Sequence, residues 1–215
     1  MALIQKLLIV EGIDDKYVIS RLLQRRKITY QNFEIHDANG IRQSLNTFSI
    51  AIKSGNYDVI GIVVDADTDL LERWQDLKNR LIKEGYQPIP QNPHAKGTII
   101  IDPEEELPTV GIWLMPNNQK TGMLEDFIRF LVPENDELLA IAQNQVNDII
   151  KAGQNRFTQS HKSKAIIHTW LAWQERPGTQ LGKAITYRFI KSQQYILDDG
   201  KASHFINWLQ ALFKE

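Results

Sequence analysis

The chain has 215 residues, no cysteine and a formal net charge of −1 at pH 7. The absence of cysteine excludes disulfides, thiolate nucleophiles and cysteine-ligated zinc. The near-neutral charge excludes the strong overall positive field of a non-specific nucleic-acid binder. No apolar run approaches the roughly 18 residues of a membrane span, and the first ten residues are too short for a signal peptide. We therefore expect a cytoplasmic protein that does not associate with membranes.

The first half of the chain alternates predicted strands and helices. The predicted strands are Leu7–Val10, Phe33–His36 and Val59–Val64. Each is followed by a helical pattern, and the predicted helices are Asp14–Arg26, Ile41–Lys53 and Leu70–Lys83. This order predicts an α/β fold with a parallel sheet and right-handed crossovers. We expect Asp14 to cap the first of these helices and Asp69 the third.

The second half begins with two more strands and then becomes helical. The strands Thr98–Ile101 and Val110–Leu114 flank an acidic loop, and they form either a hairpin or adjacent edge strands. The later predicted helices are Glu134–Lys151, His161–Trp173, Leu181–Ile190 and Phe205–Phe213. We expect a domain of residues 1–130 and a helical extension of residues 131–215 packed on the same unit. Helical spacing predicts that Trp170, Trp173 and Trp208 are core residues.

Acidic side chains follow two of the predicted strands. Glu11 ends the first strand, and Asp65 and Asp67 follow the third. Ligands of open α/β sheets collect at the carboxyl ends of strands, and carboxylate oxygens suit Mg²⁺. Alternate residues of an extended segment point the same way, so Asp65 and Asp67 can share one ion. The sequence therefore predicts a Mg²⁺ or Mn²⁺ site, and the alternative is that these two aspartates cap the helix beginning at Leu70.

These residues resemble the Toprim domain, the metal-binding module of topoisomerases, primases and OLD-type nucleases. The resemblance rests on Glu11 with Gly12, on Asp65 with Asp67, and on Gly40 after the second strand. It implies a Toprim-like, Rossmann-like parallel sheet with flanking helices and, here, a helical C-terminal extension. The segments 111–119 and 122–127 resemble an uncharacterised bacterial family of Toprim-like proteins, DUF3226.

The OLD branch of the resemblance implies further site residues. A second acid four residues after the glutamate falls on Asp15, and a later acid and lysine correspond to Glu125 and Lys164. Glu11 and Lys164 are the implied catalytic residues. The implied metal ligands are Glu11, Asp15, Asp65, Asp67 and Glu125. Asp15 and Glu125 equally suit the first turn of a helix, where the dipole favours acids, and Lys164 equally suits a solvated helix face.

The implied function is metal-dependent hydrolysis of nucleic acid, with DNA favoured over RNA. The alternatives are a non-catalytic nucleotide- or partner-binding module and a nucleotidyl transferase. The chain has no phosphate-binding ATPase motif, so an OLD-like activity is expected without ATP or with a separate ATPase partner; a homodimer is a further expectation. A basic groove beside the acids would favour cleavage. A closed pocket, or the loop Glu104–Glu106 near its mouth, would favour ligand binding.

Overall fold

A five-stranded sheet with the strand order β2-β1-β3-β5-β4 forms the centre of the fold. The computed structural model describes residues 5–25, 33–184 and 200–214. The strands are β1 (Lys6–Val10), β2 (Glu34–Asp37), β3 (Val59–Asp65), β4 (Thr98–Ile100) and β5 (Thr109–Met115). The helices of the described ranges are α1 (Ile13–Arg25), α2 (Ile41–Ser54), α3 (Leu70–Lys83), α4 (Leu124–Leu131), α5 (Glu137–Lys151), α6 (Lys162–Ala172), α7 (Leu181–Ala184) and α8 (Gly200–Leu212).

The sheet is mostly parallel, as the alternating pattern predicts. β1 pairs in parallel with β2 and β3, and β3 pairs in parallel with β5. β4 is the exception, because it lies antiparallel to β5 at the edge of the sheet. The chain moves from β1 to β2 on one side and then crosses to β3 on the other side. The carboxyl ends of β1 and β3 therefore flank a topological switch point, where open α/β sheets bind their ligands.

Helices cover both faces of the sheet, which explains why every residue of β1 is buried. On one face, α2 and α3 pack against alternate strand residues, with Phe48 and Trp74 at the centre of the apolar cluster. On the other face, α1 and the helices from α4 onward pack around Trp113 and Phe127. The predicted helix ends at Arg26 and Ile190 lie outside the described residues.

The C-terminal helix α8 contacts the sheet directly through a notch. Gly61 and Gly111 are paired neighbours in β3 and β5. A Cβ atom on Gly111 would lie only 2.3 Å from Cδ2 of Leu212, so the leucine occupies the space that a larger strand residue would fill. Nζ of Lys6, in β1, donates to the main-chain oxygen of Phe213 at 3.2 Å. The helix is thus fixed to the sheet by packing and by a buried hydrogen bond.

Some local predictions hold and others are wrong. The side chain of Asp69 caps α3 by accepting from the N–H groups of Leu71 and Glu72, as predicted. Asp14 does not precede its helix, because α1 already begins at Ile13. Trp173 is 42% exposed, since α6 ends one residue before it.

The other two tryptophans of that group, Trp170 and Trp208, are buried as predicted. None of the helices in the described ranges is long and apolar enough to cross a bilayer.

Candidate metal centre

The parallel pairing of β1 and β3 brings Glu11 to Asp65. Val10 pairs with Val63, so Glu11, the residue after β1, lies one residue before the level of Asp65 along the neighbouring strand. Oε2 of Glu11 accepts a hydrogen bond of 3.2 Å from the main-chain N–H of Asp65. The two residues that the sequence places at separate strand ends are therefore in direct contact.

Asp65 also contacts the start of α4. Its Oδ1 accepts a hydrogen bond of 3.0 Å from the N–H of Leu124, the first residue of that helix. Because α3 is capped by Asp69, the alternative that Asp65 caps α3 is wrong. Asp65 is instead held between β3 and the positive N-terminal end of α4.

Asp67 lies in a turn that is fixed on two sides. Its φ of 51° is left-handed, and its N–H and C=O pair with the C=O and N–H of Gly122 at 2.9 and 2.8 Å. Its Oδ2 forms an ion pair of 2.8 Å with Nη2 of Arg73. The aspartates of the Asp-x-Asp motif therefore have different partners, and Asp67 carries the ion pair.

Asp15 projects from α1 into the same region and is only 7% exposed. Its Oδ2 accepts from the N–H of Gly12 at 3.1 Å, and its Oδ1 is buried without a hydrogen-bond partner. A buried oxygen without a partner is costly and needs an explanation. Protonation of the carboxyl group and a cation from outside the protein are the two explanations that its chemistry offers.

Glu125 completes the cluster from the first turn of α4. It is 5% exposed, and its Oε1 lies 3.6 Å from Nζ of Lys164 and 4.0 Å from Nε2 of His168. Lys164 and His168 are one turn apart on α6, and the side chain of Lys164 is 54% exposed. The predicted lysine is therefore beside the acidic cluster and open to solvent.

The carboxylates of the cluster make one another harder to ionise. Burial raises the pKa of Asp15 from 3.8 to about 7, and the charge of Glu11 adds to the rise. Burial also raises the pKa of Asp65 well above its usual range, with Asp15 as the next cause. The pKa of Glu11 is raised by burial, against the opposing hydrogen bond from Asp65. A bound cation would relieve this repulsion.

The two predicted glycines have main-chain roles at this edge. Gly40, with φ of 111°, donates its N–H to the main-chain oxygen of Glu11 at 2.7 Å, which fixes the backbone after β1. Gly12 lies against the Asp15 carboxylate, since a Cβ on it would meet Oδ2 at 3.4 Å.

Comparison with known proteins identifies the family. The chain matches the family described as "Protein of unknown function (DUF3226)" over residues 5–214. It belongs to the DUF3226 family. No curated protein matches it. Among solved structures, it is similar to the C-terminal region of the OLD protein of Xanthomonas campestris pv. campestris, with 12% identity and a TM-score of 0.40, over 99% of this chain and 86% of that one.

The donor set of the DUF3226 protein fits a divalent cation, although its arrangement is not that of a formed site. Among the residues that the structure describes, no group of three or more acidic or histidine side chains is positioned to hold an ion. Oxygens of Glu11, Asp65 and Asp67 accept hydrogen bonds from protein groups. The hard oxygens and the free Oδ1 of Asp15 suit Mg²⁺ or Mn²⁺.

Sequence reasoning about the DUF3226 protein missed two basic side chains at this site, Arg73 and His168. Arg73 donates to the main-chain oxygen of Asp65 and to the carboxylate of Asp67. His168 approaches Glu125 beside Lys164. The sequence offered two signals. Arg73 lies one turn into the helix that follows the Asp-x-Asp motif, and His168 lies four residues after Lys164.

Proposed function

We propose that this protein is a Toprim-like nuclease that hydrolyses phosphodiester bonds of nucleic acid with Mg²⁺ or Mn²⁺. The observation that carries the proposal is the crowding of carboxylates from β1, α1, β3 and α4 at the switch point of the sheet. Burial and the neighbouring charges raise the pKa values of Asp15 and Asp65, and the buried Asp15 leaves one oxygen without a partner. A helix cap or a helix dipole would explain a single acid at this edge of the sheet, but it would not explain the whole group of carboxylates.

Each residue then has a stated role. The ligands of the first ion are Glu11, Asp65 and Asp67, and Asp15 and Glu125 supply further oxygens. A bound divalent cation supplies an activated water and stabilises charge on the phosphate. Burial raises the pKa of Glu11, which makes its carboxylate a stronger base than a solvated glutamate. The exposed ammonium of Lys164 is suited to stabilise negative charge on the phosphate.

The acidic loop lies away from the carboxylates. Glu105 and Glu106 line a cavity of about 610 Å³ together with Lys53 and Thr109, the first residue of β5. The carboxylate cluster lies at the other end of the parallel strands. At about 3.3 Å per residue, the two ends of β5 are roughly 20 Å apart. The loop therefore does not favour the ligand-binding alternative, and no contact in the described residues favours nucleotidyl transfer.

Metal binding is tested by thermal unfolding with and without millimolar Mn²⁺. A ligand that binds only the folded state raises its stability by mass action. We expect Mn²⁺ to stabilise the wild type and to have little effect on the Asp65→Asn/Asp67→Asn double variant. An equal response from both proteins would contradict the metal site.

Cleavage is tested with single-stranded DNA, supercoiled DNA and RNA in the presence of Mn²⁺, with EDTA as the negative control. Glu11→Gln keeps the shape of the side chain and should lower the rate by about 10² to 10⁴. Glu72→Gln, which changes an exposed acid in the first turn of α3, is the matched control. Cleavage that persists in Glu11→Gln would refute the assignment. Metal binding without cleavage of any nucleic acid would favour the binding module.

A further inference from the structure

Arg73 forms a fork between the two aspartates of the Asp-x-Asp motif. Its Nε donates to the main-chain oxygen of Asp65 at 3.0 Å, and its Nη2 donates to Oδ2 of Asp67 at 2.8 Å. The side chain is 15% exposed and is supplied by the first turn of α3. A planar guanidinium can hold two acceptors at a fixed separation, which a flexible ammonium cannot.

The segment held by this fork is conformationally unfavourable. Asp67 adopts a left-handed φ of 51°, a conformation that residues other than glycine adopt infrequently. Gly122 holds the main chain of Asp67 through two hydrogen bonds. Arg73 holds the side chain. The direction of the Asp67 carboxylate is thus set by Arg73 rather than by the backbone alone.

The charge of Arg73 by itself would work against a metal site. A positive group beside bound Mg²⁺ repels the ion. It also neutralises the neighbouring carboxylates and so weakens their attraction for Mg²⁺. The charge therefore does not explain an arginine at this position, which needs an explanation based on its geometry. The fork provides one, because it joins the end of β3 to the side chain two residues later.

We propose that Arg73 is a positioning residue whose bidentate geometry, rather than its charge, sets the Asp67 carboxylate for cation binding beside Asp65. The inference rests on the proposed metal site and adds to it the residue that orients one of its ligands. Arg73 contacts protein groups and is not assigned a contact with substrate.

The test compares Arg73→Lys with Arg80→Lys by calorimetric titration of the metal-free proteins with Mn²⁺. Arg80 lies two turns further along α3 and bridges to α2, donating to the main-chain oxygen of Leu45 and to Oγ of Ser49. Both variants keep the charge and replace an arginine of α3 that donates to two acceptors. We expect Arg73→Lys to raise the Kd for Mn²⁺ by about 10- to 100-fold, the usual effect of losing a group that orients a ligand. Arg80→Lys should leave it unchanged.

The outcomes separate this inference from the proposed function. Wild-type affinity in Arg73→Lys, or equal losses in the two arginine variants, would overturn the positioning role while the metal site stands. A wild type that binds Mn²⁺ no better than Asp65→Asn/Asp67→Asn would overturn both.

A second measurement uses the unmodified chain, in case Arg73→Lys does not fold. In ¹⁵N spectra the Nε–H of Arg73 should exchange slowly, because it donates to a partly buried carbonyl. We expect its resonance to shift on addition of Mg²⁺ and that of Arg80 to remain in place. A resonance of Arg73 that does not respond to saturating Mg²⁺ would overturn the inference.

Discussion

Asp15→Asn should stabilise the metal-free protein at high pH while weakening its response to metal. The pKa of Asp15 rises from 3.8 to about 7 on folding, mainly because the group is buried. At about 1.36 kcal/mol per pKa unit, ionised Asp15 opposes folding by roughly 4 kcal/mol. Asparagine removes this charge and keeps an oxygen that can accept from the N–H of Gly12.

The sign of the pH dependence follows from proton binding. Between about pH 4 and pH 7 the folded protein holds a proton on Asp15 that the unfolded chain has released, so this group lowers stability as the pH rises. The difference in unfolding free energy between Asp15→Asn and wild type should therefore grow with pH, by up to roughly 4 kcal/mol between pH 4 and pH 8. Any loss from imperfect packing of the amide is the same at each pH and does not affect this change.

The assay is urea unfolding in EDTA at several pH values, followed by the same series with Mn²⁺. Asp76→Asn, on the exposed surface of α3, is the control for removing a carboxylate. With Mn²⁺ the advantage of Asp15→Asn should shrink, because the wild type gains more from the ion. A difference between Asp15→Asn and wild type that stays constant from pH 4 to pH 8 would refute the reasoning.

Two further predictions concern the framework. Gly111→Ala should destabilise the fold by about 1–3 kcal/mol, because its methyl group would overlap Leu212, and Leu212→Ala should remove most of this effect in a double-mutant cycle measured by urea unfolding. If the losses of unfolding free energy in the two single variants simply add in the double variant, the packing of Leu212 against Gly111 is contradicted. Asp69→Ala should cost about 1 kcal/mol by losing the cap of α3, with Mn²⁺ binding unchanged; a large loss of Mn²⁺ affinity would instead assign Asp69 to the site.

The parts of the fold that depend on local signals were predictable from the sequence. Apolar runs predicted β1, β3 and β5, and β3 extends only one residue beyond the predicted end. The third helix was predicted at its observed bounds, Leu70–Lys83, because Asp69 is a strong cap and Gly85 follows its end. A shared site for Glu11 and Asp65 implies that β1 and β3 are neighbours, but it does not determine the positions of the other strands.

The contacts that hold the site depend on residues far apart in the chain. Leu124 donates to a carboxylate 59 positions earlier, and Lys6 donates to carbonyls more than 200 positions later. No periodicity or local propensity encodes such pairs. The antiparallel direction of β4 was equally open, because the acidic loop before β5 is compatible with either connection.

Hydrogen bonding does not explain why Asp15 is an acid. Its bond to the N–H of Gly12 would form equally well with an amide oxygen, and hydrogen bonds to charged groups contribute about 1.5–3 kcal/mol. The pKa of Asp15, about 7, already includes this bond, so the ionised group still opposes folding by roughly 4 kcal/mol. Arg73 and Lys164 form ion pairs with Asp67 and Glu125. In the metal-free protein a proton on Asp15 avoids this cost below about pH 7, and above that pH a divalent ion in the cluster would offset the charge.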